Sequence, residues 1–336
     1  MTEVIRAQRK AAVLAPSQLA CLSKLPTINL TAGCAHECLY CYARSYSQNP
    51  GRGRITLYEN TLEKLRDELP RKRKRPSAVY FSPSSDLFQP VPEVLALGYD
   101  VLKYLLSNEI GVAFLSKGRI PDRHMALLCD NAYLVHAGIG LTTLDVELLK
   151  VFEPRTASPK QRLEQAEALI EAGVPTRIRL DPLLPGLMDD EESLEELLKA
   201  VADIGIEQIA VSTAFLRPAI IRTLKSYVRD RRILEPLLGH YEFGPTLTMH
   251  GAGTSVVMPP ASLRSEIYKR VREIARRYGM ATSICACKNG DLASDSCYIA
   301  GDWLAKPSES QQKPLFNGVD DAYRQQTASS AARDHG

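Results

Sequence analysis

The sequence predicts an α/β fold, a parallel sheet curled into an incomplete (βα)6 barrel, and three observations carry that reading. Short apolar runs alternate with segments of helical period along the first two thirds of the chain. The runs are apolar almost throughout, as strands covered on both faces must be. Six such strand–helix units fit between about residues 26 and 217, which is short of the eight of a closed barrel.

The strand candidates, in order, are "PTINLT" from Pro26, "AVYFS" from Ala78, "GVAFLS" from Gly111, "AYLVHAGIGL" from Ala132, "TRIRLD" from Thr176 and "QIAVST" from Gln208. Between the first two, Asn60 is placed to cap a helix carrying Leu62, Leu65 and Leu69, with Glu63 at the capping-box position. After the third strand "DRHMALL" allows only a short helix. "QRLEQAEALIEAG" sets Leu163, Ala166 and Ile170 on one face and stops at Gly173. "ESLEELLKAVADIG" does the same with Leu194, Leu197, Leu198, Val201 and Ile204, ending at Gly205. Beyond Pro259 and Pro260, a helix with Leu263, Ile267, Val271, Ile274 and Tyr278 runs to Gly279, and a strand-like "ATSICAC" follows. From about Lys306 the Ser, Gln, Lys, Pro and Ala content predicts a disordered tail. The expected organisation is an N-terminal extension (1–25), the barrel (26–217), a cysteine-bearing C-terminal region (218–305) and the tail (306–336).

With 336 residues, 45% of them hydrophobic and 24% charged, the chain can bury a large core. A formal charge of +3 does not by itself call for nucleic acid or membrane. No apolar run reaches a membrane span of about 18 residues. The basic N-terminus lacks the apolar core and cleavage site of a signal peptide, so the expectation is a cytoplasmic monomer. Its eight cysteines are then thiols, catalytic groups or metal ligands rather than a disulfide framework.

Three cysteines, Cys34, Cys38 and Cys41, fall within "LTAGCAHECLYCYARSY", spaced Cys-x3-Cys-x2-Cys on the loop after the first strand. A structural zinc site takes four ligands, usually in two pairs; a zinc knuckle completed by His36 is the alternative here. Three thiolates instead suit three irons of a 4Fe–4S cluster, leaving the fourth iron open. With Tyr40 just before the third cysteine, the motif resembles the radical S-adenosylmethionine (radical SAM) superfamily. "FSPSSDLFQPVPE", "AFLSKGR", "EPRTASPKQRLEQAEALIEAGVPTRIRLDPLLPG" and "FLRP" extend the likeness to its spore photoproduct lyase-like branch, across about residues 17 to 217.

That resemblance implies a cluster on Cys34, Cys38 and Cys41 whose open iron binds the amino and carboxylate groups of SAM. A flavodoxin or ferredoxin-type donor would reduce it, and SAM would be cleaved to methionine and a 5′-deoxyadenosyl radical. By the same resemblance Ser85 contacts SAM, Lys117 pairs with its carboxylate, and Tyr40, Thr142 of "GLTT" and Arg179 face the cofactor. An ion pair inside the barrel is the alternative for Arg179. Tyr42 matches a family tyrosine, but Pro83 stands where the lyase places its hydrogen-donating cysteine, which speaks against thymine-dimer repair.

A second group, Cys285, Cys287 and Cys297, is spaced Cys-x-Cys-x9-Cys. An auxiliary 4Fe–4S cluster is the preferred reading, against ordinary core cysteines or a redox partner. Cys21 and Cys129 read as small buried hydrophobes, with Cys21 the better candidate for a fourth ligand. "RKRKR" at 71–75 reads as a solvated helix end rather than a phosphate patch. His124, His136, His240 and His250 are isolated; His250, beside "GAG", is the one best placed to reach a pocket, and "GAG" alone does not make a nucleotide loop. The expected function is a radical SAM enzyme that abstracts hydrogen from a small substrate, a nucleoside or a sugar, with the second cluster as a candidate sulfur donor. A nucleic-acid repair enzyme is the first alternative, disfavoured by Pro83 and the modest charge. A non-catalytic iron–sulfur or zinc module is the other, and a SAM site built on Ser85 and Lys117 opposes it.

Overall fold

The computed structural model describes residues 2–17, 20–23, 25–249, 255–292 and 316–317. The six expected strands form one parallel sheet in chain order: β1 (Pro26–Ile28), β2 (Ala78–Phe81), β3 (Gly111–Ser116), β4 (Val135–Gly140), β5 (Thr176–Leu183) and β6 (Gln208–Thr213). The sheet also extends beyond the expected 26–217 span. A seventh strand, β7 (Ala281–Ile284), adds parallel to β6, and Ala15–Pro16 pairs antiparallel with β1. β7 is the strand-like "ATSI", and pairing satisfies the backbone groups that β6 would otherwise present at an open edge. Cys297 and His250, and the expected tail apart from Phe316–Asn317, lie outside the described residues. Phe316–Asn317 pairs with Thr246–Met249.

The helices are α1 (Thr61–Arg71), α2 (Pro92–Leu106), α3 (Asp122–Asp130), α4 (Val146–Phe152), α5 (Pro159–Glu171), α6 (Glu191–Asp203), α7 (Pro218–Tyr227), α8 (Arg231–Gly239) and α9 (Ala261–Arg277). The expected stops Gly173, Gly205 and Gly279 all sit at positive φ. The capping box expected at Asn60 does not form. Its side chain instead accepts from Arg9 N (2.7 Å) and donates to Arg9 O (3.2 Å), tying down the N-terminal segment. A full capping box does form at Ser158 and Gln161, at the start of α5.

Side-chain alternation sorts the strands into two faces. Val79, Phe81, Val112, Phe114, Ile139, Ile178, Leu180, Ile209 and Val211 pack into the main core with the helices. The residues between them face the concave side. There Ala78, Tyr80 and Ala113 meet Leu22 and Leu25 of the N-terminal segment. Lys117, Gly140, Arg179 and Asp181 continue the concave parity toward the C-terminal ends of the strands, the mouth of the barrel.

Candidate functional site at the barrel mouth

The loop carrying Cys34, Cys38 and Cys41 leaves β1 at this mouth. Thr31–Ala32 pairs with Arg54–Tyr58, and Gly33 turns there at φ +80° with Arg54 O too close for a larger residue. Gln89 Oε1 accepts from Ala35 N (2.9 Å), Gln89 Nε2 donates to Thr31 Oγ1 (3.0 Å), and Leu39 N donates to Phe152 O (2.9 Å). The loop is therefore anchored along its backbone while its three thiols remain half-buried. Burial and the Asp86 carboxylate push the Cys34 thiol well up; burial and Glu153 do the same to Cys38. Such thiols become thiolates when a metal takes the place of the proton. Among the described residues no three His, Cys, Asp or Glu side chains are grouped to hold a single metal ion. A multi-iron cluster asks something different, one thiolate per corner iron. His36 does not complete a zinc knuckle: Nδ1 donates to Arg155 O (2.9 Å), and Nε2 faces Asp86 Oδ2 at 3.3 Å, outside hydrogen-bond geometry.

Asp86, in the turn after β2, joins three parts of the mouth. Its Oδ1 accepts from Ser116 Oγ (2.7 Å) and Phe88 N (2.8 Å), its Oδ2 from Lys117 N (2.9 Å), and His36 lies alongside. Burial opposes ionisation, but His36 and these donors outweigh it and hold the carboxyl below its ordinary range.

Lys117 follows β3 and points inward past Gly140, where any Cβ would collide with its methylenes at 2.9 Å. Its ammonium donates to Glu153 Oε1 (2.9 Å), Tyr40 Oη (2.8 Å) and Asp181 O (3.3 Å). Tyr40 Oη also donates to Glu153. Arg162, fully buried on α5, donates to Glu153 Oε2 (2.5 Å), Gly140 O (2.8 Å) and Ala157 O (2.9 Å). Burial alone would raise Glu153, but Lys117 and Arg162 prevail and hold it down at about 2. Lys117 thus lies one hydrogen bond from Tyr40 and is paired with a buried carboxylate.

The hydroxyls of Ser85 and Thr142, both expected to face a cofactor, are buried and have no protein partner, and neither has that of Ser82. Buried polar groups are nearly always paired with protein, water or a ligand, so these hydroxyls leave bonding capacity at the mouth that the protein itself does not use. Arg179 Nη2 pairs with Asp181 Oδ2 (3.1 Å), the ion pair weighed as its alternative role. Asp181 Oδ1 accepts from Lys288 Nζ (2.6 Å), next to Cys287. Cys285 and Cys287 are buried on the concave side with Ala210, and Cys21 packs against them. His124 Nε2 donates to Leu95 O (2.9 Å).

The radical SAM superfamily model matches residues 28–201, just over half of the chain. The chain belongs to the radical SAM superfamily. An uncharacterized protein of Mycobacterium tuberculosis is 30% identical over 200 residues, covering 57% of this chain and 59% of that protein. The radical SAM Nα-GlyT isomerase of Pseudomonas phage M6 is 26% identical over 266 residues, covering 75% of this chain and 51% of its own. The chain thus spans between about half and three fifths of the length of these relatives. Spore photoproduct lyase complexed with dinucleoside spore photoproduct superposes with a TM-score of 0.63 at 14% identity, covering 84% of this chain and 81% of that one. The fold is a partial radical SAM barrel, and membership implies a 4Fe–4S cluster, SAM, a reductant and a substrate. No helix among the described residues is long and apolar enough to cross a membrane.

Sequence reasoning missed Glu153, Arg162, Asp86 and Lys288 as parts of this radical SAM mouth. Glu153 and Arg162 stand in the quoted "EPRTASPKQR", but nothing in their spacing says that both point into the barrel wall.

Proposed function

We propose that this protein reductively cleaves SAM on a 4Fe–4S cluster held by Cys34, Cys38 and Cys41 and abstracts hydrogen from a small substrate, a nucleoside or a sugar. The observation that carries this is one mouth where three thiols, the Lys117 ammonium and the unpartnered Ser85 and Thr142 hydroxyls lie at the ends of adjacent strands. When bound, the cluster and SAM supply a 5′-deoxyadenosyl radical. Lys117 offers its ammonium to the SAM carboxylate, with Glu153 and Tyr40 orienting it. Ser85 and Thr142 hydrogen-bond the polar parts of SAM, and Arg179 lines the same inner face. Cys285, Cys287 and Cys297 are assigned to a second 4Fe–4S cluster, a candidate sulfur donor to the substrate. Anaerobically reconstituted protein with a strong reductant should form 5′-deoxyadenosine, and the variant with Cys34, Cys38 and Cys41 all changed to Ala should not. Equal 5′-deoxyadenosine formation by that variant sinks the proposal.

A second reading, a base within nucleic acid as substrate, draws on the surface beside Cys41. Exposed Tyr42 and Tyr46 meet edge to face at 5.9 Å, and Arg217, itself buried, lies 6.0 and 5.5 Å from their rings. Arg52 covers exposed Tyr227 at 3.9 Å. Aromatic and guanidinium faces of this kind stack bases. The lyase neighbour, complexed with a dinucleoside photoproduct, is in keeping with this reading. Tyr42 Oη donates to Pro83 O, and by the family resemblance Pro83 stands where the lyase places its hydrogen-donating cysteine. Hydrogen abstraction fits there; return of hydrogen from a cysteine at that position does not.

A further inference from the structure

The concave face holds a second set of thiols drawn from both ends of the chain. Cys285 and Cys287 are 5% and 6% exposed and cluster with Ala210 of β6, and Cys21, in the single turn Ala20–Leu22, packs against them. The turn bearing Cys285 and Cys287 is rigidly built. Lys288 N and Asn289 N both donate to Cys285 O (3.1 and 3.0 Å), as does Asn289 Nδ2 (3.1 Å). Arg264 of α9, fully buried, donates to Asn289 Oδ1 (3.0 Å), Asp291 Oδ1 (3.0 Å) and Pro259 O (3.0 Å) and pairs with Asp291 Oδ2. Tyr268 Oη donates to Asn289 Oδ1 (2.9 Å) and meets Thr213 N (3.0 Å).

A guanidinium taken wholly out of water to hold a short turn is a costly device. Two cysteines that merely filled a gap would not need it. Ligands that must present sulfur at a set position do need such a supporting shell. Lys288, the residue after Cys287, ties the same turn to the barrel wall by pairing with Asp181 at 2.6 Å.

We propose that Cys21, Cys285 and Cys287 act together as ligands of a second iron–sulfur cluster, so that the N-terminal segment supplies one ligand. The inference rests on reading the C-terminal cysteines as a cluster site, and adds a ligand some 260 residues upstream of them. Soft thiolates without histidine select iron–sulfur clusters or zinc.

The test separates this site from the SAM site. In the variant with Cys34, Cys38 and Cys41 changed to Ala, anaerobic reconstitution with iron and sulfide should leave roughly four irons and four sulfides per chain. Adding Cys21→Ser should remove most of that iron or convert its reduced-state electron paramagnetic resonance signal, while Cys129→Ser should change neither. In wild-type protein, which needs no variant to fold, Cys21 should resist alkylation when loaded and react after iron is chelated. Full iron with an unaltered signal in the Cys21→Ser variant, equal Cys21 alkylation before and after chelation, or zinc in place of iron would each overturn the assignment. 5′-Deoxyadenosine formation by Cys21→Ser with the first three cysteines intact tests the SAM-cleavage reading independently. Its failure in wild-type protein would reject that reading without touching the iron count.

Discussion

Lys117 and Ser85 make opposite demands on the protein without its cofactor. Lys117 is already held by Glu153 and Tyr40, whereas the Ser85 hydroxyl is buried with nothing to bond. Lys117→Ala should weaken SAM binding by about 1–3 kcal/mol, roughly 5- to 150-fold, with cluster content unchanged. Arg162 remains to neutralise Glu153, so the variant should stay folded. Ser85→Ala should lower SAM affinity while leaving the cofactor-free protein as stable as wild type or slightly more so, because it removes an unsatisfied buried hydroxyl. Thermal melts with and without SAM, and calorimetric titration, read both. A destabilised Ser85→Ala protein with unaltered SAM affinity would place that serine outside the pocket.

At the scale of elements, two helices on the barrel exterior start by different chemistry. Ser158 caps α5 with a neutral hydroxyl, and Asp190 caps α6 with a carboxylate accepting from Ser193 N at 2.9 Å. Burial would raise the Asp190 carboxyl, but the Ser193 bonds prevail and hold it below its ordinary value. A lowered folded-state value means stability present above the ordinary carboxylate range and lost as pH falls through the lowered one. Ser158→Ala and Asp190→Ala should each cost about 1 kcal/mol at neutral pH. The Asp190→Ala deficit should shrink as pH falls below about 4, and the Ser158→Ala deficit should not. Urea denaturation midpoints at pH 7 and near pH 3.5 measure this; a pH-independent Asp190→Ala deficit would contradict it. Asn60 carries the lesson further. Its sequence signature was that of a cap, yet a long-range bond to Arg9 claims the side chain.

Across the whole molecule, α9 and the turn after β7 act as a clasp that closes the sheet at β6. Breaking the buried Arg264–Asp291 pair by Arg264→Met should destabilise the protein by about 3–5 kcal/mol, because a buried carboxylate is left without its cation. Arg264→Met combined with Asp291→Leu should recover part of that loss, and chemical denaturation of both variants decides it. A double variant no better than the single one would mean that the turn depends on something other than this charge pair.

Six strands, the helices α1, α3, α5, α6 and α9 and the glycine stops were legible in the sequence because period and turn chemistry are local properties, written within a dozen residues; α2, α4, α7 and α8 were not singled out there. The Cys34, Cys38 and Cys41 trio was legible for the same reason, being spaced within one loop. β7 was visible as a strand but not as the sheet's next member, since a short apolar run does not say which edge it will join. Only the folded chain brings Glu153 and Arg162 to Lys117, Asp86 to His36, and Cys21 to Cys285 and Cys287. Those contacts depend on which strand lies beside which and on which face each side chain occupies. Sequence spacing carries no record of that, because the sheet sets it by joining segments tens to hundreds of residues apart.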